Sequence, residues 1–377
     1  MRHSRGPDDG TALSPGARTV GVEEELLLVD RDGVPRPWGD DVVHSAGGDD
    51  RGPAQVEHEL KREQVELGTE PCLRLADTGD QLRSLRRRLD DAASRHGLRL
   101  AALATSPLPV EPTATPDARY ERMQAEYGMT ARELLCNGCH IHVAVESTDE
   151  AVAVLDRIRP WLATLTALSA SSPYWQGADT GYASYRQRVW SRWPSAGPNE
   201  PFGDAEGYHA AIAAMVSSGA AIDEGMAYLD ARVSKDWPTI ELRVLDVCLD
   251  VDDAVLLAGL GRGLVETAAG QWRDGRPSQP VRVEVLRGAS WRAARSGLSG
   301  DLVDPISAST VPARTQVERL LGYATPGLDQ YGDLDSVARR LETVLDRGTG
   351  ADAQRAAYAR RGQLRDVVAD AVGRTTS

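Results

Sequence analysis

The chain has 377 residues, of which 41% are hydrophobic and 26% charged, with a formal net charge of −13. This length and composition suit a globular protein of one large domain or two ordinary ones. The negative charge argues against a general nucleic-acid or anionic-membrane binder, while leaving room for a local basic pocket.

Residues 1–18 are polar and lack the apolar core of a signal peptide, so they read as a disordered tail. Gly21–Asp30 then alternates as a strand, sending Glu23, Glu25 and Leu27 to one face and Val22, Glu24, Leu26 and Leu28 to the other. Residues 34–53 are rich in Gly, Asp and Pro and read as a loop, and Glu57–Leu67 as a strand that ends before Gly68. A helix capped by Asp77 or Thr78 carries an apolar stripe of Leu82, Leu85, Leu89 and Ala92, with Arg83, Arg86, Arg87 and Arg88 mostly outside it. A strand over Leu98–Thr105 and a short helix over Asp117–Tyr127 follow. Gly138–Glu146 alternates again, with His140 and His142 opposite Ile141, Val143 and Val145. Asp149 starts a long apolar helix toward Ser171, kinked before Pro160. Ser172–Phe202 is too long for a casual connection and reads as a functional loop region. A helix over Asp204–Ser218 and a strand over Ala227–Val233 lead into Thr239–Asp246, where Glu241 and Arg243 share a face opposite Ile240, Leu242 and Val244. Five helical patterns close the chain, over 252–270, 281–295, 311–321, 333–346 and 352–372. Strands first and helices after suggest an α+β fold with a mainly antiparallel sheet. No apolar run is long enough to span a membrane.

Three strands thus carry charged or imidazole groups on one face and branched aliphatics on the other, and Glu66 offers a fourth contribution. Two carboxylates on one strand face repel unless a positive group lies between them. Hard oxygen donors, imidazoles and a guanidinium together suit divalent cations with a polyphosphate. There is no Walker A loop, Rossmann fingerprint or nucleophile elbow. Gly259-x-Gly261-x-Gly263 lies within a helical pattern and is discounted as a nucleotide motif. Cys136-x-x-Cys139 lacks a second pair and reads as incidental; with Cys72 and Cys248 it makes no disulfide framework, so a cytoplasmic location is the default. The only two lysines, Lys61 and Lys235, stand against 41 arginines and merit individual notice.

The segment from Gly21 to Asp30 (GVEEELLLVD) resembles the opening motif of the type 2 glutamate–cysteine ligase family, the YbdK-like carboxylate–amine ligases. The resemblance continues through Glu59-Leu-Lys-x-Glu-x-Val-Glu66-Leu, Cys139-His-Ile-His-Val and the run from Ser172 to Arg186. It then takes in Trp193-Pro-x-x-Gly-Pro, Arg232, Thr239-x-Glu-x-Arg-Val-x-Asp246 and a weaker Trp291-Arg-Ala-Ala-Arg-x-Gly. It implies a glutamine-synthetase/guanido-kinase-like catalytic domain over residues 19–300, a curved antiparallel sheet backed by helices. Residues 301–377 are then a helical extension that covers the domain or joins copies in a homo-oligomer. It implies ATP and Mg²⁺ as cofactors, and amide formation between the γ-carboxylate of glutamate and an amine such as that of cysteine, through γ-glutamyl phosphate. Glu23, Glu25, Glu59, Glu66, His140 and Glu241 are the implied metal ligands, with His142 a ligand or its support. Arg243, with Glu241, is assigned to catalysis, and Arg232, Arg186 and Lys61 to phosphate or substrate carboxylate. Glu24 is the acid of its triplet left out of the metal set, with no partner named. The motifs do not read a thiol, so the acceptor amine stays open. Amide hydrolysis on the same scaffold, as in the Pup deamidase, and a nucleotide-binding protein without turnover are the alternative readings.

Overall fold

Val20–Val29 forms strand β1, which runs through the middle of a seven-stranded sheet. The computed structural model describes residues 17–47 and 56–377. In chain order the other strands are β2 (Val56–His58), β3 (Gln64–Gly68), β4 (Arg99–Ala101), β5 (Gly138–Ala144), β6 (Tyr174–Trp175), β7 (Ala178–Asp179), β8 (Ala231–Val233), β9 (Thr239–Asp246), β10 (Asp301–Asp304) and β11 (Ser309–Pro312). The helices are α1 (Gly39–Ser45), α2 (Leu75–Ser94), α3 (Ala118–Tyr127), α4 (Met129–Glu133), α5 (Thr148–Ser169), α6 (Tyr185–Trp190), α7 (Ala205–Ser217), α8 (Val251–Arg273), α9 (Val283–Ser296), α10 (Ala313–Gln330), α11 (Leu334–Arg347), α12 (Gly350–Arg361) and α13 (Leu364–Thr375). The main sheet runs β2-β3-β1-β5-β9-β8, with β4 also on β1, and its pairs are antiparallel.

One face of the sheet is apolar because alternate residues of each strand are branched aliphatics. Val22, Leu26 and Leu28 of β1, Ile141 and Val143 of β5, and Ile240 and Leu242 of β9 are buried in one cluster with Leu82 and Leu89 of α2 and Leu257, Leu260 and Leu264 of α8. Each fully buried leucine contributes about 1.5–3 kcal/mol. Helix α8 lies close to this face: a Cβ on Gly261 would sit 3.0 Å from Leu242 and 3.3 Å from Ile141. The glycine-rich stretch is therefore a packing device, as its helical setting implied. On the opposite face, Leu27 and Val29 continue past Glu23 and Glu25 into a second apolar cluster with Leu103, Leu135 and Val368.

Several local expectations change. Within 34–53 the described part contains helix α1, held by the amide of Gly39 on the carbonyl of Arg62 at 2.7 Å and by burial of Val42 and Val43. Residues 48–53 of that loop lie outside the described residues, as do residues 1–16 of the assigned tail. Arg18, assigned to the same tail, is buried and donates to Glu150 and Glu266, both at 2.6 Å. The single strand expected over 57–67 is two strands, and 352–372 is two helices parted at Gly362 (φ +68°). Helix α2 starts at Leu75, and 172–202 folds into the β6–β7 hairpin and α6. The expected helical extension over 301–377 opens with the β10–β11 hairpin before its helices begin. No helix among the described residues is long and apolar enough to cross a membrane.

Candidate active site

The polar face of β1, β3, β5 and β9 gathers the acids and imidazoles by register. Glu23 lies opposite His140, Glu25 opposite Glu66, and His142 opposite Glu241. Because these are direct cross-strand neighbours, their side chains meet above the sheet. His140 Nδ1 is 3.4 Å from Glu23 Oε2 and 3.9 Å from Glu241 Oε1, and His140 Nε2 is 3.9 Å from Glu25 Oε1. His142 Nε2 is 3.3 Å from Glu23 Oε1, and its Nδ1 is fixed by Thr239 Oγ1 at 2.9 Å. Two overlapping triads result, Glu23–Glu66–His140 and Glu23–His142–Glu241, each with candidate ligand atoms within 4.8 Å of one another.

Packing four carboxylates here perturbs all of them. Burial, then the charges of Glu59 and Glu23, push the Glu66 carboxyl well above its ordinary range. Burial and Glu59 raise Glu25 to about 7, even though the amide of Gly138 donates to its Oε2 at 2.5 Å. Burial would also raise Glu23, but the flanking imidazoles outweigh it and hold that carboxyl well below its usual value. Glu241 is buried too, yet Arg243 and Arg232 bring it down to about 2. Arg232 Nε donates to Glu241 Oε2 at 2.6 Å, and Arg243 pairs with Oε1. Burial and the neighbouring Arg243 depress His140 to about 4, which keeps its ring neutral near pH 7. The Nε2 atoms of His140 and His142 and the Nε of Arg243 are buried without a hydrogen-bond partner. A neutral imidazole nitrogen next to crowded carboxylates suits a divalent cation: it brings a lone pair, and the cation offsets the repulsion.

These groups floor a cavity of about 320 Å³, open to solvent. Tyr120, Met123, Leu134, Trp190, Tyr228 and Trp237 supply aromatic and apolar wall. Arg243 lies 5.8 Å from the ring centres of both Trp190 and Tyr228, within cation–π range of each.

Of the residues singled out in the sequence, Glu23, Glu25, Glu59, Glu66, His140, His142, Glu241, Arg243 and Arg232 all line this cavity. Lys61 does not. It is almost fully buried, and its Nζ donates to the carbonyl of Arg132 at 2.9 Å, so it anchors α4 instead of meeting a ligand. Arg186 is also off the cavity wall. It is buried over Gly138 and donates to the carbonyl of Arg243 at 3.4 Å. Sequence reasoning missed Glu57, Gln64, Arg119, Tyr120, Trp190 and Tyr228 on the lining, none of which has a spacing that marks it. Lys235 also lines the cavity, and its rarity was the one signal available.

The family model described as glutamate–cysteine ligase family 2 matches residues 19–370. A Frankia alni protein with the provisional name glutamate–cysteine ligase 2-2 is 51% identical over 375 residues, covering 96% of this chain and 98% of its own length. A Streptomyces coelicolor protein with the provisional name glutamate–cysteine ligase 2 is 49% identical over 363 residues, covering 95% and 99%. Among solved structures, the glutamate–cysteine ligase of Francisella tularensis in complex with AMP superposes with a TM-score of 0.68 at 13% identity, covering 97% of this chain and 90% of that one. A bifunctional glutathione synthetase from Pasteurella multocida gives a TM-score of 0.68 at 18% identity, covering 95% and 52%. Those two superpositions show a shared fold, in agreement with the antiparallel sheet backed by helices that the sequence implied. The chain belongs to glutamate–cysteine ligase family 2 and is a ligase.

Proposed function

We propose that this ligase uses ATP to join the γ-carboxylate of L-glutamate to the amine of L-cysteine or another amine. The carboxylate oxygen attacks the γ-phosphorus of ATP, forming γ-glutamyl phosphate and ADP. The neutral amine then attacks the acyl carbon, the C–O bond to phosphate breaks, and the proton lost by the amine nitrogen goes to the departing phosphate or to solvent. The products are γ-glutamylcysteine or its analogue, ADP and phosphate. A free carboxylate is a poor acyl donor, so the first step supplies the leaving group.

The observation that carries this reading is the meeting of two acid–imidazole triads with two arginines in one cavity. Glu23, Glu66 and His140, and Glu23, His142 and Glu241, are the residues that would hold Mg²⁺, with Glu25 and Glu59 beside them. Bound Mg²⁺ supplies neutralisation and orientation of the triphosphate. The chain's own contribution is electrostatic preorganisation. Glu241 fixes Arg232 and Arg243 before substrate arrives, and Arg243 keeps an unused Nε to meet charge on the transferring phosphoryl group.

The test is ADP release from ATP, Mg²⁺ and glutamate against a panel of amines including cysteine, with mass analysis of the product. ADP release that requires both glutamate and one amine supports the reading. Release of ammonia from a side-chain amide without net ATP consumption contradicts it.

A further inference from the structure

Asp246 ends strand β9 with a carboxylate fully withdrawn from solvent. Its Oδ2 accepts from the amide of Ser171 at 2.8 Å and from Ser172 Oγ at 2.7 Å, and its Oδ1 accepts from Ser184 Oγ at 2.8 Å. All three donors belong to the segment that leads from α5 into α6. Ser172 Oγ in turn accepts from the amide of Arg186 at 3.0 Å, so the bonds run without a break from β9 to the first turn of α6. Helix α6 carries the two residues that back Arg243. Arg186 donates to its carbonyl, and Trp190 lies beneath its guanidinium at 5.8 Å. Arg243 itself is three residues upstream of Asp246 on β9. One carboxylate therefore ties the strand bearing Arg243 to the helix that supports it. A carboxylate that only satisfied its own burial could take donors from any neighbour. Here both oxygens are spent on one segment.

We propose that Asp246, acting through Ser172 and Ser184, is a positioning residue for the ligase reaction: it sets Arg186 and Trp190 against Arg243 and so fixes where Arg243 presents its guanidinium. The inference rests on the activity proposed above. It assigns no contact between Asp246 and substrate.

The test is a Ser172→Ala/Ser184→Ala double variant, which removes two hydroxyl donors and no charge. ADP formation is measured with the amine the wild type uses. The expected kcat is about tenfold or more below wild type, since small misplacements of supporting groups cost rate. The KM for ATP is expected to stay within about threefold, the pattern of a loss confined to the transition state. On an Arg186→Ala background the same two changes are expected to cost clearly less than in the wild type, the remainder passing through Trp190. Asp246→Asn can keep the bonds, its oxygen accepting from Ser171 and Ser172 and its amide donating to Ser184, and should retain kcat within about threefold of wild type. A double serine variant with wild-type kcat overturns the proposal. So does a loss that adds in full to Arg186→Ala, or an inactive Asp246→Asn beside an active double serine variant. If the double variant does not fold, Ser184→Ala alone enters the same cycle. Hydrogen exchange gives a readout independent of turnover. Faster exchange over residues 184–190 in the serine variant, with β9 unchanged, supports the clamp, and unchanged exchange overturns it. A wild type that turns over no amine defeats the ligase reading by itself, and the exchange result still decides the clamp.

Discussion

Arg86 of α2 grips both carboxylate oxygens of Glu24 from 2.7 Å, in a pair with no solvent exposure on either side chain. The same guanidinium donates to the carbonyls of Cys248 at 2.7 Å and Leu249 at 3.0 Å. It thus ties β1 to the segment that follows β9. The pair accounts for the third acid of the Glu23-Glu24-Glu25 triplet, which faces away from the cavity. Breaking a buried pair leaves one charge uncompensated, so Glu24→Met or Arg86→Met alone should cost about 3–5 kcal/mol in denaturant unfolding. The double variant replaces both with apolar groups and should be less destabilised than either single variant. A double variant whose loss equals the sum of the singles would contradict this account of the pair.

Metal binding should appear as stability before it appears as rate. Mg²⁺ held as proposed would offset the crowding of Glu23 and Glu66, so adding it to wild type should raise the melting temperature in a concentration-dependent way. Glu66→Gln removes one donor and a carboxyl whose ionisation burial and its acidic neighbours oppose. Without Mg²⁺ this variant should melt at or above the wild-type temperature, and with Mg²⁺ it should gain less. Equal gains in the two proteins would remove Glu66 from the ligand set.

Gly138 sits where the acids, His140 and Arg186 converge. A Cβ there would collide with the guanidinium of Arg186 and come within 3.0 Å of His140 Nε2. Gly138→Ala should therefore displace both side chains at an overpacking cost of about 1–3 kcal/mol. Its ADP formation should fall by about tenfold or more. Unaltered kcat in a folded Gly138→Ala would show that neither side chain has to keep its place.

Asp230 offers a pH signature separate from the metal cluster. Burial alone raises its carboxyl from 3.8 to about 7. The native state therefore holds this proton more tightly than the unfolded chain does. Between pH 3.8 and about 7 the folded form binds more protons, so this residue's contribution to stability falls as pH rises through that window. Asp230→Asn removes the term. Its melting temperature relative to wild type should climb from pH 4 to pH 8 and then level off. A difference that does not change with pH would contradict the raised value.

The legible part of this protein was its strand chemistry. Period-two alternation put Glu23, Glu25, His140, His142, Glu241 and Arg243 on one side of three strands, and antiparallel pairing brought them together. Arg86 was set mostly outside the stripe because it is charged, yet four residues after Leu82 it lies on the buried face, where its partner Glu24 is 62 positions away in sequence. Lys61 lies off the cavity wall, and its partner is a backbone carbonyl 71 residues on, which no motif announces. Helix α1 was hidden by Gly and Asp content that favours loops, and it forms because Val42 and Val43 are buried in the main core cluster with Leu85 and Leu89 of α2. The aromatic wall of Tyr120, Trp190 and Tyr228 comes from three separate segments, so only the tertiary fold could reveal it.

Acyl transfer through γ-glutamyl phosphate moves an oxygen from glutamate to phosphate, and isotope labelling follows that oxygen. Glutamate labelled with ¹⁸O in its γ-carboxylate is turned over with ATP, Mg²⁺ and the accepted amine, and the released phosphate is analysed by mass. The account predicts one ¹⁸O in each phosphate, because the attacking carboxylate oxygen leaves bonded to phosphorus. Amide product accompanied by phosphate without ¹⁸O would contradict it.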